Sequence, residues 1–287
     1  MPFLQLTFES NAVDPETLES ACFAAGALSV TLTDAAETPI FEPELHTMPL
    51  WPKVRISVLF EADSNRCAIL SAIADVPPEH TFVEIADRAW EREWLADFKP
   101  MRFGARLWIC PHEQHVSDEN AVVVRLDPGL AFGTGTHPTT AMCLQWLDGA
   151  GLEGKQVIDY GCGSGILAIA AVKLGAHRVV AVDHDPQALL ATRENAERNG
   201  VERQVQTLSP GVALPPADVL LANILAGPLF ELAPLFQTLV RPGGHVVLSG
   251  ILADQADAVS AAYSPWFRMD GPTARNEWIR LHGVRRG

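Results

Sequence analysis

The chain has 287 residues, enough for two domains and a large core. Hydrophobic residues make up 48% and charged residues 20%, an ordinary soluble globular composition in which no apolar run reaches the length of a membrane span. The formal net charge is −14, and residues 1–100 carry 6 Lys and Arg against 17 Asp and Glu, a balance that repels nucleic-acid phosphate and suits a basic partner.

The first residues have no basic start and read as a strand, not a signal peptide. Alternation over 3–8 and 28–32, with apolar runs at 54–60 and 81–85, predicts four strands. Asp14 before Pro15 marks a helix start and Gly26 its end, and 67–73 reads as a second helix. The order strand-helix-strand-strand-helix-strand is that of a small α+β ferredoxin-like sandwich, assigned to residues 1–88. A connecting segment is expected over 89–118. Within it, 90–98 reads as a helix with Trp90, Trp94 and Phe98 on one face, a packing seam. Strands at 103–110 and 121–126 lead into a second domain, 119–287. Five scattered cysteines, Cys22, Cys67, Cys110, Cys143 and Cys162, include no C-x-x-C pair. They fit reduced thiols in a cytoplasm, not a disulfide frame or a zinc site.

Residues 127–140 are rich in glycine, threonine and proline and open a helix over 141–147. A plain surface loop has little reason to carry Phe132, so the segment reads as a lid over a bound ligand. His137 has no second ligand at metal spacing. No metal is expected, and a helix-start contact is its reading.

The run Val157-Ile158-Asp159-Tyr160-Gly161-Cys162-Gly163-Ser164-Gly165 joins an apolar strand to a helix over 166–172, and a second strand, 178–182, ends on Asp183. Such a βαβ unit leaves a nucleotide-shaped hole at its carboxyl end. Further helices at 188–199, 228–240 (broken near Pro234) and 253–263 alternate with strands at 205–208, 219–223, 245–249 and 277–282. The alternation predicts an α/β, Rossmann-like domain, a mostly parallel doubly wound sheet with helices on both faces. Asp159, Asp183 and Asn223 then share its carboxyl edge.

A dinucleotide site wants a third small residue where this chain has Ile166. The spacing Asp159-x-Gly161-x-Gly163-x-Gly165 instead resembles motif I of the S-adenosylmethionine-dependent methyltransferases. Asp183 is suited to ribose hydroxyls, and Cys162 reads as a space filler, not a nucleophile. Residues 127–140, 157–165 and 223–229 together resemble the PrmA-type ribosomal protein methyltransferases over nearly the whole chain. That resemblance implies S-adenosylmethionine as cofactor and large-subunit ribosomal protein L11 as substrate, methylated on lysine side chains and the α-amine. It implies an N-terminal domain that recognises the ribosomal protein, and cofactor contacts at Thr140, Gly161, Asp183 and Asn223, beside Asp159, Gly163 and Gly165. Asn223 is expected to aim the target amine. Ile224-Leu225-Ala226 follows it without an aromatic, so Phe132 is expected to supply the aromatic wall by cation–π contact. The third strand, 205–208, lacks the acid that many methyltransferases use near adenine. A cytoplasmic monomer without direct nucleic-acid or membrane binding is expected. Rival readings are a methyltransferase of another protein, RNA or a small molecule, a nicotinamide-dependent oxidoreductase, and an idle S-adenosylmethionine-binding protein.

Overall fold

The computed structural model describes residues 2–11, 14–36, 40, 49–73, 76–85, 99–126 and 136–287. The chain divides into two compact units, 1–90 and 91–287. In the first, β1 (Phe3–Ser10), α1 (Pro15–Ala24), β2 (Ser29–Asp34), β3 (Val54–Glu61), α2 (Arg66–Ala72) and β4 (Thr81–Ile85) follow in the order read from the sequence. The strands lie β2-β3-β1-β4, every pair antiparallel. Period-two alternation puts Leu4, Leu6 and Phe8 of β1 and Val54, Ile56, Val58 and Phe60 of β3 into one core, where Cys22, Ile69 and Ile73 join them. Asp14 stands at the α1 N-cap, but its carboxylate takes the Thr17 hydroxyl and no backbone N–H.

The first described elements of the second unit are β5 (Met101–Phe103), β6 (Leu107–Cys110) and β7 (Val122–Arg125), a small sheet in that order. The single strand expected over 103–110 is therefore two. Gly104, at φ +74, turns the chain there. The turn is held by Asp148 of α3 (Pro138–Gly149), whose buried carboxylate accepts from the backbone N–H groups of Ala105, Arg106 and Leu107, the last at 3.0 Å. Phe103, Leu107 and Ile109 share a core with Leu144 and Leu147 of α3. Part of the segment expected as a connector thus packs inside this unit. The expected helix at 90–98 lies outside the described residues.

The main sheet follows: β8 (Gln156–Tyr160), α4 (Ile166–Lys173), β9 (Arg178–Val182), α5 (Pro186–Arg198), β10 (Val205–Leu208), β11 (Ala217–Asn223), α6 (Ala226–Leu239), β12 (Val240–Leu252), α7 (Ala256–Tyr263), β13 (Phe267–Met269), β14 (Thr273–Arg275) and β15 (Trp278–Arg285). The strand order is β10-β9-β8-β11-β12-β15-β13, with β14 on β15. The first five are parallel. β15 is antiparallel to its neighbours, so the mostly parallel sheet that was expected ends in an antiparallel edge. Apolar layers cover both faces, one around α4 and one around α6 and α7, which is why the central strands read as unbroken apolar runs. From β8 the chain runs outward in one direction through β9 and in the other from β11, which opens a crevice at their carboxyl ends.

Two local expectations change. Pro234 does not break α6, which runs unbroken from Ala226 to Leu239. It sits on the exposed face, where water can take the carbonyl freed of its helical partner. Pro242-Gly243-Gly244 forms a bulge inside β12, since Val240 faces Ala217 but His245 faces Val219. No helix among the described residues is long and apolar enough to cross a membrane. Asp148→Ala should leave the Ala105–Leu107 N–H groups without acceptors. It should destabilise the second unit by on the order of 3 kcal/mol, read as a lower urea midpoint, with Asp148→Asn recovering part of the loss.

Candidate active site

The site is built on three neighbouring strand ends, those of β9, β8 and β11. At the end of β8, Gly161, Gly163 and Gly165 all have positive φ, between +54 and +82. A Cβ at Gly165 would stand 2.8 Å from Thr192, so this turn needs glycine for space as well as for conformation. Backbone bonds hold Cys162 to the Val182 carbonyl and Gly165 to the Cys162 carbonyl, and side chains hold the middle of the turn. Asp183, directly after β9, accepts the Gly163 N–H at 2.9 Å and the Asp185 N–H at 3.0 Å. Thr192 of α5 donates to the Gly163 carbonyl at 3.0 Å, and Asn195 donates to the Ser164 carbonyl at 2.9 Å. The Gly161 N–H reaches the Val182 carbonyl at 2.7 Å, which ties the turn to the end of β9.

Asp159 lies beneath the turn with no exposed surface. One oxygen accepts the Ala168 N–H at 3.0 Å, and Oδ1 has no partner among the described residues. Burial pushes its carboxyl up to about 7. The neighbouring Asp183 charge adds to the rise and the Ala168 bond opposes it. Cys162 is buried with its Sγ 3.3 Å from the Thr192 hydroxyl, and burial pushes its thiol up to about 12. It is therefore a packed thiol and not a nucleophile at neutral pH.

Asn223 ends β11 on the other side of the switch point. Its Nδ2 donates to the Thr140 hydroxyl at 3.2 Å. Thr140 is held by the start of α3, where His137 is the N-cap and accepts the Thr139 N–H. The His137 Nδ1 also lies 2.7 Å from the Thr139 hydroxyl. Burial lowers the pKa of His137, against a smaller opposing effect of Glu277, which suits a neutral ring whose Nδ1 is an acceptor. Ser249 of β12 fixes the same helix start by donating to the Thr139 carbonyl at 3.3 Å.

A cavity of about 590 Å³ opens between these ends, with Gly161, Asp183 and Asn223 in its wall. Thr140 stands behind Asn223, and Asp159 behind the turn. The sequence signal did not single out Trp278, His184 or Tyr160, which also line the cavity. Trp278 meets His137 edge-on at 5.0 Å. Its only sequence signal was an aromatic opening the last strand, and β15 brings it over from more than fifty residues beyond Asn223. Phe132 lies outside the described residues.

The cavity volume suits a nucleoside-sized ligand. The Asp183 carboxylate keeps lone pairs beyond its two backbone bonds, as a ribose clamp requires. An acid-flanked glycine turn, a second acid after the next strand and an Asn at the fourth, on this sheet order, define a S-adenosylmethionine-dependent methyltransferase. The family model described as ribosomal protein L11 methyltransferase (PrmA) matches residues 2–286. A ribosomal protein L11 methyltransferase from Pseudomonas aeruginosa is 54% identical, covering 100% of this chain and 99% of its own. Its namesake from Klebsiella pneumoniae is 50% identical, covering 99% of each. The crystal structure of ribosomal protein L11 methylase from Lactobacillus delbrueckii subsp. bulgaricus matches with a TM-score of 0.61 at 32% identity, over 66% of this chain and 100% of that one. The chain belongs to the ribosomal protein L11 methyltransferase family.

The folded protein holds the Asp159 proton up to pH about 7, whereas an unfolded chain releases it near pH ~4. Stability contributed by this group therefore falls as pH rises between those values. Without cofactor, Asp159→Asn should melt at a higher temperature than the parent at pH 8, and the gap should close toward about pH 4, as followed by thermal denaturation across that range.

Proposed function

We propose that this enzyme transfers methyl groups from S-adenosylmethionine to lysine side chains and the N-terminal α-amine of large-subunit ribosomal protein L11. The observation that carries the reading is the meeting, in one cavity, of the Asp183-braced glycine turn and the Thr140-held Asn223. The cofactor supplies a methyl group on a cationic sulfur. Thr140, Gly161, Asp183 and Asn223 are its contacts in this proposal, Asp183 through the ribose hydroxyls, while Asp159, Gly163 and Gly165 shape the turn.

The attacking amine must be neutral, although a free lysine has a pKa of about 10.4. Desolvation in the cavity beside a positive charge lowers that value. Thr140 engages the Asn223 amide nitrogen, so the Asn223 carbonyl oxygen is left to accept an amine hydrogen and aim the lone pair. Most of the acceleration then comes from positioning. Trp278 gives the described wall an aromatic face, and Phe132 is the second aromatic proposed for the methylated cation. The acidic region over residues 1–100 suits recognition of a basic ribosomal protein. A cytoplasmic monomer that does not bind nucleic acid directly completes the proposal.

Mass spectrometry of purified L11 incubated with enzyme and cofactor tests the reading. Mass gains in steps of one methyl, mapped to lysines and the α-amine, are expected. No gain with cofactor binding intact would move the substrate elsewhere. In the same assay, Asn223→Ala should lower kcat by on the order of a hundredfold with a smaller effect on cofactor affinity, and Asp183→Ala should mainly weaken the cofactor. Phe132→Leu should shift the product toward lower methylation states, and an unchanged distribution would remove Phe132 from the wall.

A further inference from the structure

A second cavity, of about 440 Å³, lies at the other end of the main sheet. Val219, near the amino end of β11, is in its wall, whereas Asn223 at the carboxyl end lines the cofactor cavity. Trp146, Lys155, His245 and His282 also line it. None of these residues belongs to the methyl-transfer site.

The histidines form a relay. The Asp270 carboxylate lies 2.6 Å from His282 Nδ1 and accepts its N–H. In the neutral ring that places the His282 proton on Nδ1 and leaves Nε2 as a lone pair. His282 Nε2 lies 2.9 Å from His245 Nδ1, which must therefore donate. In the neutral state the open end of the relay is His245 Nε2, a lone pair made more basic by the carboxylate two rings away. The two rings are nearly parallel, 18° apart, and Trp146 lies tilted against both, with centroids 5.9 and 5.4 Å away. A flat aromatic face, an exposed lysine and a proton-accepting imidazole thus share one concave wall.

We propose that this cavity binds a small planar anion, an aromatic ring bearing a carboxylate or a phosphate, with Trp146 covering the ring and Lys155 and protonated His245 receiving the charge. The groups facing His245 are His282 and Asp270 from the β15 side and Lys155 from the segment before β8; Trp146 of α3 and Val219 of β11 do not titrate. In the free protein burial lowers the His245 pKa, and His282 and Lys155 lower it further against the opposing Asp270 charge. A bound anion acts in the opposite direction, so binding takes up a proton and tightens as pH falls.

The test is calorimetry on the full chain, its cofactor cavity filled with S-adenosylhomocysteine, titrated with benzoate, with adenosine monophosphate and with ringless inorganic phosphate. Buffers of different ionisation heat are used at pH 6 and 8. The expected result is saturable binding of at least one ringed anion, with benzoate against the nucleotide deciding between carboxylate and phosphate. Affinity should be about tenfold or more higher at pH 6 than at pH 8, since one proton linked across the interval allows up to tenfold per pH unit. The heat should change with the buffer, as proton uptake requires. His245→Gln should remove the pH dependence. Lys155→Ala, a change at an exposed side chain, should weaken binding and leave L11 methylation unchanged. No saturable heat with either ringed anion, binding indifferent to pH and to both substitutions, or ringless phosphate binding equally well would each overturn the proposal.

Discussion

The hydrogen bond from the Gly163 N–H to the Asp183 carboxylate, 2.9 Å long, is the constraint on which the site rests. The turn over 161–165 takes backbone angles that only glycine adopts easily, and it lies where buried polar groups need partners. Asp183 closes the turn from the β9 side, and Thr192 and Asn195 close it from α5. The carboxylate that braces the turn also faces the cavity. The shape of this part of the cavity wall therefore depends on one side chain.

The same face of α5 extends the restraint. One turn beyond Asn195, Asn199 accepts the Arg125 N–H at 2.8 Å and donates to the Arg125 carbonyl at 2.7 Å, a side-chain copy of strand pairing. Thr192, Asn195 and Asn199 thus run as a polar line along an otherwise amphipathic helix, joining the glycine turn to the end of β7. On the opposite wall, Ser249 and His137 fix the start of α3, and through it Thr140 and Asn223. Each wall is thus tied across elements: the glycine turn to Asp183 and to Thr192 and Asn195 of α5, and Asn223 to Thr140 of α3. Asp159 and Asp183 illustrate how place decides chemistry at this edge. One carboxylate is sealed beneath the turn with an oxygen that has no partner among the described residues, and the other accepts two backbone N–H groups at the cavity wall.

Much of this was legible in the chain before folding. Parallel strands buried on both faces read as apolar runs, and each run here ends on a polar residue, so Asp159, Asp183 and Asn223 could be set on one edge from spacing alone. Glycines at alternate positions marked the turn between them. The antiparallel edge was not legible, because β13 and β14 are three residues each and carry no period of their own. Nor was the turn at Gly104, which depends on a carboxylate more than forty residues later. Pro234 misled because α6 carries apolar residues on its exposed face as well, Phe230 and Leu235 among them, so its pattern did not mark which face meets water.

By itself the sequence determined the element order of the first unit, the βαβ unit, the glycine turn and the acids that flank it, because these follow from local periodicity and backbone sterics. Its joint motifs also carried the family. Only the tertiary structure decided which side chains hold those motifs in place. The Thr140–Asn223 pair, the α5 polar line, Trp278 in the cavity wall and the Asp270–His282–His245 relay all join residues distant in the chain. Such contacts are made by sheet order and packing, which bring distant residues together without leaving any pattern of spacing in the sequence.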